Sequence, residues 1–358
     1  MSLLPWVGLV VIAEILRFIK AVRFRSLLTI LDKPFPTWKV KTSLIVPFRG
    51  TEPELEKRIR AFLSQNAGET IFVVDSTDDP VYPILKKFSR RATIIIAAPQ
   101  KGSGKCAALF AGAKKAEGQV FVFADSDALV PQGWLSSLVN PLKDSHIGAT
   151  TGYRTYTPAE GWGLLKSVWD EAAIRMMLST HAFVWGGSFA LRKKDFDAWD
   201  IGTKWTTAIS DDTIVDKAAK GAGKQVRFVP SALVKSDPHT TRGELIEFTN
   251  RQMFMVRHFS KRIWYGGLLV YGYSFLVFVT ALASLLLSVT DGRYLLPAIV
   301  LWIATLLPIL NSLLLRRALH LPLKPALLAP DARLLMFYNI LRAKTMRRIT
   351  WRGRSYEV

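Results

Sequence analysis

The stretch Gln119-Val120-Phe121-Val122-Phe123-Ala124-Asp125-Ser126-Asp127 decides the fold. An uninterrupted apolar run bounded in this way reads as a strand buried on both faces, which belongs in a parallel sheet covered by helices. Two carboxylates follow at its end. Residues i and i+2 of an extended segment point to one side, so Asp125 and Asp127 can face one divalent cation where the strand leaves its sheet. A cation there neutralises the charge that builds on a leaving diphosphate. A second acidic pair, Asp211-Asp212, offers a carboxylate to take a proton from an attacking hydroxyl. Asp is also favoured in turns and at helix N-caps, so either pair alone is equally well explained as structural. The two together favour chemistry.

Outward from that strand, apolar runs at Ser43 to Phe48, Thr70 to Val74 and Ala92 to Ala97 alternate with amphipathic segments, a βαβ pattern. The first helix is predicted to start with Thr51 as N-cap and Glu54 completing a capping box, with Leu55, Ile59, Phe62 and Leu63 on one face. A second runs from about Lys105 to Ala116. The expected α/β sheet is mostly parallel and Rossmann-like, and binds ligands beyond its strand C-termini, where Asp75 and Asp125 both fall. Later elements are a strand at Gly148 to Arg154, a helix at Leu164 to Ser179, and strands at Ser188 to Arg192 and Gln225 to Val229.

Half of the 358 residues are apolar and the formal net charge is +20, a combination that points to a membrane surface. Trp264 to Thr290 and Tyr294 to Leu315 contain no charged residue, and each exceeds the roughly 18 apolar residues of a spanning helix. Asp291-Gly292-Arg293 joins them as a tight hairpin. Leu3 to Ile19 reads as a third span interrupted by Glu14 and Arg17, which can pair at i,i+3. It lacks the basic n-region of a signal peptide. Lys20, Arg23 and Arg25 after it, Arg257, Lys261 and Arg262 before the hairpin, and Arg316-Arg317 after it place the intervening region in the cytoplasm. A single cysteine, Cys106, excludes an internal disulfide and suits a reducing compartment. The expected organisation is an anchor over residues 1–25, a catalytic domain over 41–243, an interfacial helix over 244–262, a transmembrane hairpin over 263–316 and a basic amphipathic tail over 317–358.

In order and spacing, Ser43-Leu44-Ile45-Val46-Pro47, Phe72-Val73-Val74-Asp75-Ser76, Gly104-Lys105, Phe123-Ala124-Asp125-Ser126-Asp127, Trp185-Gly186-Gly187-Ser188-Phe189-Ala190, Ser210-Asp211-Asp212 and Trp351-Arg352-Gly353-Arg354 resemble the membrane-bound family 2 glycosyltransferases. Within them, the chain is most similar to the ceramide glucosyltransferase-like enzymes. The resemblance implies a GT-A catalytic domain with transmembrane helices at the N- and C-terminal ends. It also implies a UDP-sugar donor, commonly UDP-glucose, a single inverting displacement, a lipid acceptor and a place in glycolipid synthesis. Residue by residue, it implies that Asp75 holds the uracil and Lys105 lies near the donor diphosphate or ribose. Asp125 meets ribose and metal, Asp127 is the main ligand of Mg2+ or Mn2+, and Asp212 is the general base with Asp211 as fallback.

Related membrane enzymes carry Gln or Arg, two residues, then Arg-Trp on the interfacial helix. Here Gln252 is followed by Met253, Phe254, Met255 and Val256. That departure argues against a processive polymer synthase and leaves Arg251 or Arg257 to supply a cation for the diphosphate. Trp351 and Arg352 either close the site or anchor the tail, and Trp185 with Gly186 either packs in the core or faces the acceptor. Lys101-Gly102-Ser103-Gly104-Lys105 is not a P-loop, because Pro99 stands where its first glycine belongs. The five histidines show no zinc spacing, and His239 is either an added metal ligand or polar surface. Two rivals stand beside the lipid glycosyltransferase. A polyprenyl-phosphate transferase has an acceptor already ionised, needing no base. A non-catalytic membrane protein binding anionic lipid or nucleic acid explains the charge but neither acidic pair, so no nucleic-acid partner is expected.

Overall fold

The computed structural model describes residues 3–31, 35–97, 103–157, 159–179, 181–237, 239–351 and 354–357. The chain divides into a sheet unit, residues 29–155 and 176–237, and a helical unit, residues 1–28, 156–175 and 238–358.

The strands in chain order are β1 (Thr42–Phe48), β2 (Glu69–Val74), β3 (Thr93–Ile96), β4 (Val120–Ala124), β5 (Ile147–Thr151), β6 (Arg154–Tyr156), β7 (Ser188–Arg192), β8 (Gln225–Phe228), β9 (Val234–Ser236), β10 (Arg348–Trp351) and β11 (Arg354–Glu357). Seven of them form one sheet in the order β3-β2-β1-β4-β7-β5-β8. β1 pairs in parallel with β2 and β4, so that Ile45 lies opposite Ile71 and Phe123. β7 is antiparallel to both of its neighbours. The chain runs outward from β1 through β2 to β3 and returns to place β4 on the other side of β1. Strand order therefore reverses between β1 and β4, and the crevice beyond their C-termini is where such sheets bind ligands.

Alternate residues of the strands feed two cores, as the two-residue period requires. Leu44, Val46, Phe72, Val74 and Val122 pack with Leu55, Ile59, Phe62 and Leu63 of the helix Leu55–Leu63. Ile45, Val73, Phe121 and Phe123 pack on the opposite face with Cys106, Ala108 and Leu109 of the helix Gly104–Lys115. Each such side chain contributes about 1.5–3 kcal/mol when fully buried. Gly112 lets that second helix approach the sheet, because a Cβ there would lie 2.5 Å from Ile45 Cγ2 and 3.1 Å from Val73 Cγ2. Gly112→Ala is expected to destabilise by about 1–3 kcal/mol through overpacking, read as a lowered thermal midpoint of the full chain in detergent.

Three local expectations are corrected. The first helix starts at Leu55, with Glu54 in left-handed backbone at φ 55° and no side-chain cap. Left-handed backbone at Glu54 leaves it outside the helix, so it cannot serve as the third-position acid of a capping box begun at Thr51, and it pairs with Lys57 at 2.9 Å instead. The expected strand Gly148 to Arg154 ends at Thr151, and Arg154 starts β6 in a separate two-stranded sheet with β9. The helix expected at Leu164 to Ser179 is two, Trp162–Trp169 and Glu171–Met177.

In the helical unit, Thr241 and Glu244 form a capping box that starts the helix Arg242–Phe259. This helix stops at Ser260, whose hydroxyl caps the next one, Lys261–Ser288. Among the described residues two helices are long and apolar enough to cross a membrane, Lys261–Ser288 and Gly292–Ala318, with mean hydropathies of 2.0 and 2.2. They form the expected hairpin, and Asp291 closes its turn by a 2.7 Å ion pair to Arg293. The N-terminal helix Leu4–Leu31 has the expected Glu14–Arg17 pair at 2.6 Å but is not one of the two. The final helix, Ala329–Thr345, lies in the expected basic amphipathic tail and is packed along one face. It buries Ala332, Met336, Asn339 and Ile340 and leaves Tyr338 and Leu341 exposed. Asn339 sets the buried face, since it accepts from Trp169 Nε1 at 3.0 Å and donates to Thr249 Oγ1 and Asn250 Oδ1 at 3.0 and 2.8 Å. On the helix Arg242–Phe259, Phe254 is buried as well.

Candidate active site

The site is built where β4 ends. Asp125 follows Ala124, and its backbone N–H donates to Gly187 O at 3.2 Å, which holds the strand end against the turn before β7. The next helix inward on that face, Gly104–Lys115, presents Lys105 in its first turn. Lys105 Nζ lies 2.7 Å from Asp125 Oδ1 and 3.1 Å from Asp211 Oδ2, and donates to Gly186 O at 3.1 Å. Its side chain is 13% exposed.

Asp211 and Asp212 open the helix Asp211–Gly221, with Ser210 as N-cap. The unpaired N–H groups and dipole of a helix start favour acids. Asp212 uses both oxygens: Oδ1 accepts from Thr213 N at 2.8 Å and from the Ser210 hydroxyl, and Oδ2 accepts from Gly186 N at 3.0 Å. Asp211 faces Lys105, and Trp205 Nε1 donates to its backbone carbonyl at 3.1 Å. A Cβ on Gly186 would sit 2.8 Å from both Asp211 Oδ2 and Lys105 Nζ, so a side chain there displaces the ends of both.

Three acids thus surround one lysine. Burial works against the Lys105 charge, but Asp125, Asp211 and Asp212 outweigh it and hold the ammonium well above its usual range. Burial pushes Asp211 up to about 6, with Lys105 pulling back and the neighbouring acids adding to the rise. Asp211 Oδ2 is buried without a well-directed hydrogen bond, despite its ion pair with Lys105. Burial also raises the Cys106 thiol, which makes it a packing residue rather than a nucleophile.

The structure brings together Lys105, Asp125, Asp211, Asp212 and Gly186. Asp75 directly follows β2 and Asp127 lies two residues beyond Asp125; both are half-buried. Among the described residues no three carboxylate, histidine or cysteine side chains converge as a closed metal site. The donors nonetheless fit a hard divalent cation: they are all oxygens, and they carry negative charge beyond what Lys105 balances. Such ions are commonly held by one or two carboxylates and complete their shell with substrate phosphates and water.

Trp185 belongs partly to the core: its N–H donates to Thr151 Oγ1 at 3.0 Å, and its ring lies 5.1 Å from that of Tyr153 with the Arg154 guanidinium 5.6 Å above it. Arg251 and Arg257 lie in the helical unit. Arg251 is 3.7 Å from Glu247, and Arg257 donates to Ala343 O at 3.1 Å near the end of the final helix. Trp351 ends β10, and Arg352 lies outside the described residues. Sequence reasoning missed Ser210, although a serine before an acidic first turn is a legible helix start. It also missed the close approach at Gly186, which no local pattern encodes.

Fold and site together define a glycosyltransferase. The chain belongs to Glycosyl transferase family 21, the ceramide glucosyltransferase-like family, which it matches over residues 9–358, and this replaces the expected family 2. No curated protein matches the sequence. Among solved structures, the mannosyltransferase PcManGT from Pyrobaculum calidifontis, in complex with GDP-Man and Mn2+, is 17% identical. The match covers 94% of this chain and 97% of that one with a TM-score of 0.50, which supports the GT-A fold. GalNAc-T7 with UDP, GalNAc and Mn2+ is 15% identical over 59% of this chain and 48% of that one, with a TM-score of 0.43. Membership of a glycosyltransferase family sets aside the non-catalytic rival.

Proposed function

We propose that this enzyme moves a hexose, glucose before others, from a UDP-sugar to the hydroxyl of a ceramide-like membrane lipid at the cytoplasmic face, with inversion. The observation that carries the reading is the convergence of Asp125, Asp211 and Asp212 on Lys105 beside the β1/β4 switch, a charged crevice suited to a nucleotide diphosphate. The apolar hairpin supports a membrane-borne acceptor.

In this reading Asp75 accepts from the uracil N3–H, and Lys105 lies beside the donor diphosphate or ribose. Asp125 and Asp127 hold Mg2+ or Mn2+, a choice supported by the Mn2+ in the Pyrobaculum structure of the same fold. A cation held there would stabilise the negative charge that develops on the leaving UDP. Asp212 takes the acceptor proton, its carboxylate already oriented by Gly186 N and Thr213 N, which lowers the cost of reorganisation at the moment of attack. One displacement from the face opposite the leaving group inverts the anomeric carbon. Trp185 and Gly186 border the acceptor side.

The test is transfer of radiolabelled glucose from UDP-glucose to ceramide in mixed micelles, with polyprenyl phosphate as competitor acceptor. Product on ceramide supports the reading, and product only on polyprenyl phosphate replaces it. Asp127→Asn is expected to lower transfer about a hundredfold or more; wild-type rates at limiting Mn2+ remove Asp127 from the cation. For topology, a cysteine replacing Ser288 is expected to react with an impermeant thiol reagent from outside the cell, and one replacing Ser145 is not. The reverse pattern overturns the cytoplasmic placement.

A further inference from the structure

The donor crevice lies beside β1 and β4, and the outer edge of the same sheet takes no part in it. β3 is the last strand on its side and, among the described residues, pairs with β2 alone. Just past its end, Ala97 N–H donates to Val74 O at 2.9 Å. By the two-residue alternation of a strand, Ile95 and Thr93 also turn their main-chain groups toward β2, while Ile94 and Ile96 turn theirs outward. Two N–H and two C=O groups therefore face away from the sheet, a template on which another chain can add a strand. Ile96, beside them, is 50% exposed.

A cavity of about 450 Å3 follows this edge, lined by Ile94 and Ile96 and by Tyr82, Lys86, Arg90 and Arg91. Its charge is one-sided. Glu69 is the only acid in the lining, and its Oε1 is already taken by the Ser43 hydroxyl at 2.6 Å and by the N–H groups of Glu117 and Gly118 at 2.6 and 3.1 Å. Arg91 donates to Leu63 O at 2.9 Å, whereas among the described residues Lys86 and Arg90 have no acid within ion-pair distance. The cavity is separate from the donor crevice: β2 and β1 stand between β3 and β4. Ile94 and Tyr82 also pack on the sheet face opposite the helix Gly104–Lys115.

Three occupants could meet an open edge, and the chemistry separates them. A second copy paired edge to edge would set Lys86, Arg90 and Arg91 against themselves in a chain of net charge +20. A free phosphate would answer the cations and leave the outward N–H and C=O groups unmet. An extended acidic chain answers both. We infer that the β3 edge is a docking site for an acidic, extended segment of a partner protein, which adds to β3 as a strand, bonds the main chain of Ile94 and Ile96 and sets its carboxylates against Lys86 and Arg90. The site rests on neither the donor nor the acceptor assignment.

The test is fluorescence anisotropy of labelled peptides with the full chain in neutral detergent. The probe alternates Glu and Val over about seven residues, enough to span the four residues of β3. Its two controls are a Lys-Val peptide and the same Glu-Val peptide N-methylated at alternate residues, which keeps the charge and removes N–H donors. The Glu-Val peptide is expected to bind at least about tenfold more tightly than either control, as the loss of one or two hydrogen bonds or of the charge match implies. Ile96→Pro removes an outward N–H and leaves the bonds to β2 in place; it is expected to weaken the Glu-Val peptide by a similar factor, as is Arg90→Glu, with UDP binding unchanged in both. Should Ile96→Pro fail to fold, the N-methylated peptide on wild type still decides. Equal binding of the N-methylated peptide overturns strand addition in favour of a plain cationic patch, and equal binding of the Lys-Val peptide overturns the acidic partner. A dimer in sedimentation velocity that Ile96→Pro abolishes replaces the partner with a second copy.

Discussion

Asp212→Asn is expected to lower glycosyl transfer roughly 10²–10⁴-fold, the range contributed by a positioned general base. UDP binding, measured by calorimetry on the full chain, is expected to change far less, because a base acts in the transition state. The substitution has a structural side effect that the geometry makes explicit. Both Asp212 oxygens accept hydrogen bonds from backbone N–H groups, one from Gly186 and one from Thr213. A carboxamide keeps one acceptor and presents an NH2 in place of the other, leaving one N–H facing a donor. An unmet hydrogen bond of that kind costs about 1–3 kcal/mol, so a modest fall in stability accompanies the loss of rate. Asp211→Asn is the control, since the Asp211 carboxylate faces Lys105 rather than those backbone groups. If Asp211→Asn abolishes transfer while Asp212→Asn keeps it, the base is Asp211, whose buried carboxyl, pushed up to about 6, suits a proton acceptor near neutral pH.

The second large effect is one of stability. Lys105→Met keeps most of the side-chain length and removes the charge, leaving Asp125, Asp211 and Asp212 without their shared cation. Breaking a buried pair from one side typically costs about 3–5 kcal/mol, because the remaining charge stays uncompensated. The thermal midpoint of the full chain, followed by tryptophan fluorescence in detergent, is therefore expected to fall well beyond the shift of a surface substitution. Added Mn2+ is expected to recover part of the loss if a cation can take the same carboxylates. A midpoint within the error of wild type denies Lys105 the balancing role.

The elements that were legible are those where a single strong pattern acts alone. β1, β2 and β4 are continuous apolar runs whose alternate residues fill two cores, and no other conformation buries both sets. The hairpin was legible for the same reason: nothing but its three-residue turn interrupts the apolar run. The misjudged elements are those where two local preferences compete. Thr51 and Glu54 have the spacing of a capping box, but Glu54 turns left-handed just before the helix starts, so the spacing falls outside it. The final helix has apolar and basic residues in an amphipathic pattern, but which face it buries is set by Asn339, which meets three partners more than eighty positions away in the chain. Partners that distant leave no periodic trace. In the site, Asp125, Asp211 and Asp212 were legible as acids at element ends, whereas the Lys105 bridge joining them exists only after folding.

The division of the chain has a consequence for its synthesis. Everything the sheet unit needs is contained in residues 29–155 and 176–237, so its last strand has been made well before translation stops. The helical unit draws on the first residues, on an internal segment and on the whole stretch from 238 to the C-terminus. Its buried amide hub on Asn339 closes only when the final helix has left the ribosome. The sheet unit can therefore be complete during vectorial synthesis before the helical unit is. A ribosome stalled near residue 320 would hold a complete sheet unit and a helical unit in which Trp169, Thr249 and Asn250 lack Asn339, the side chain that hydrogen-bonds all three.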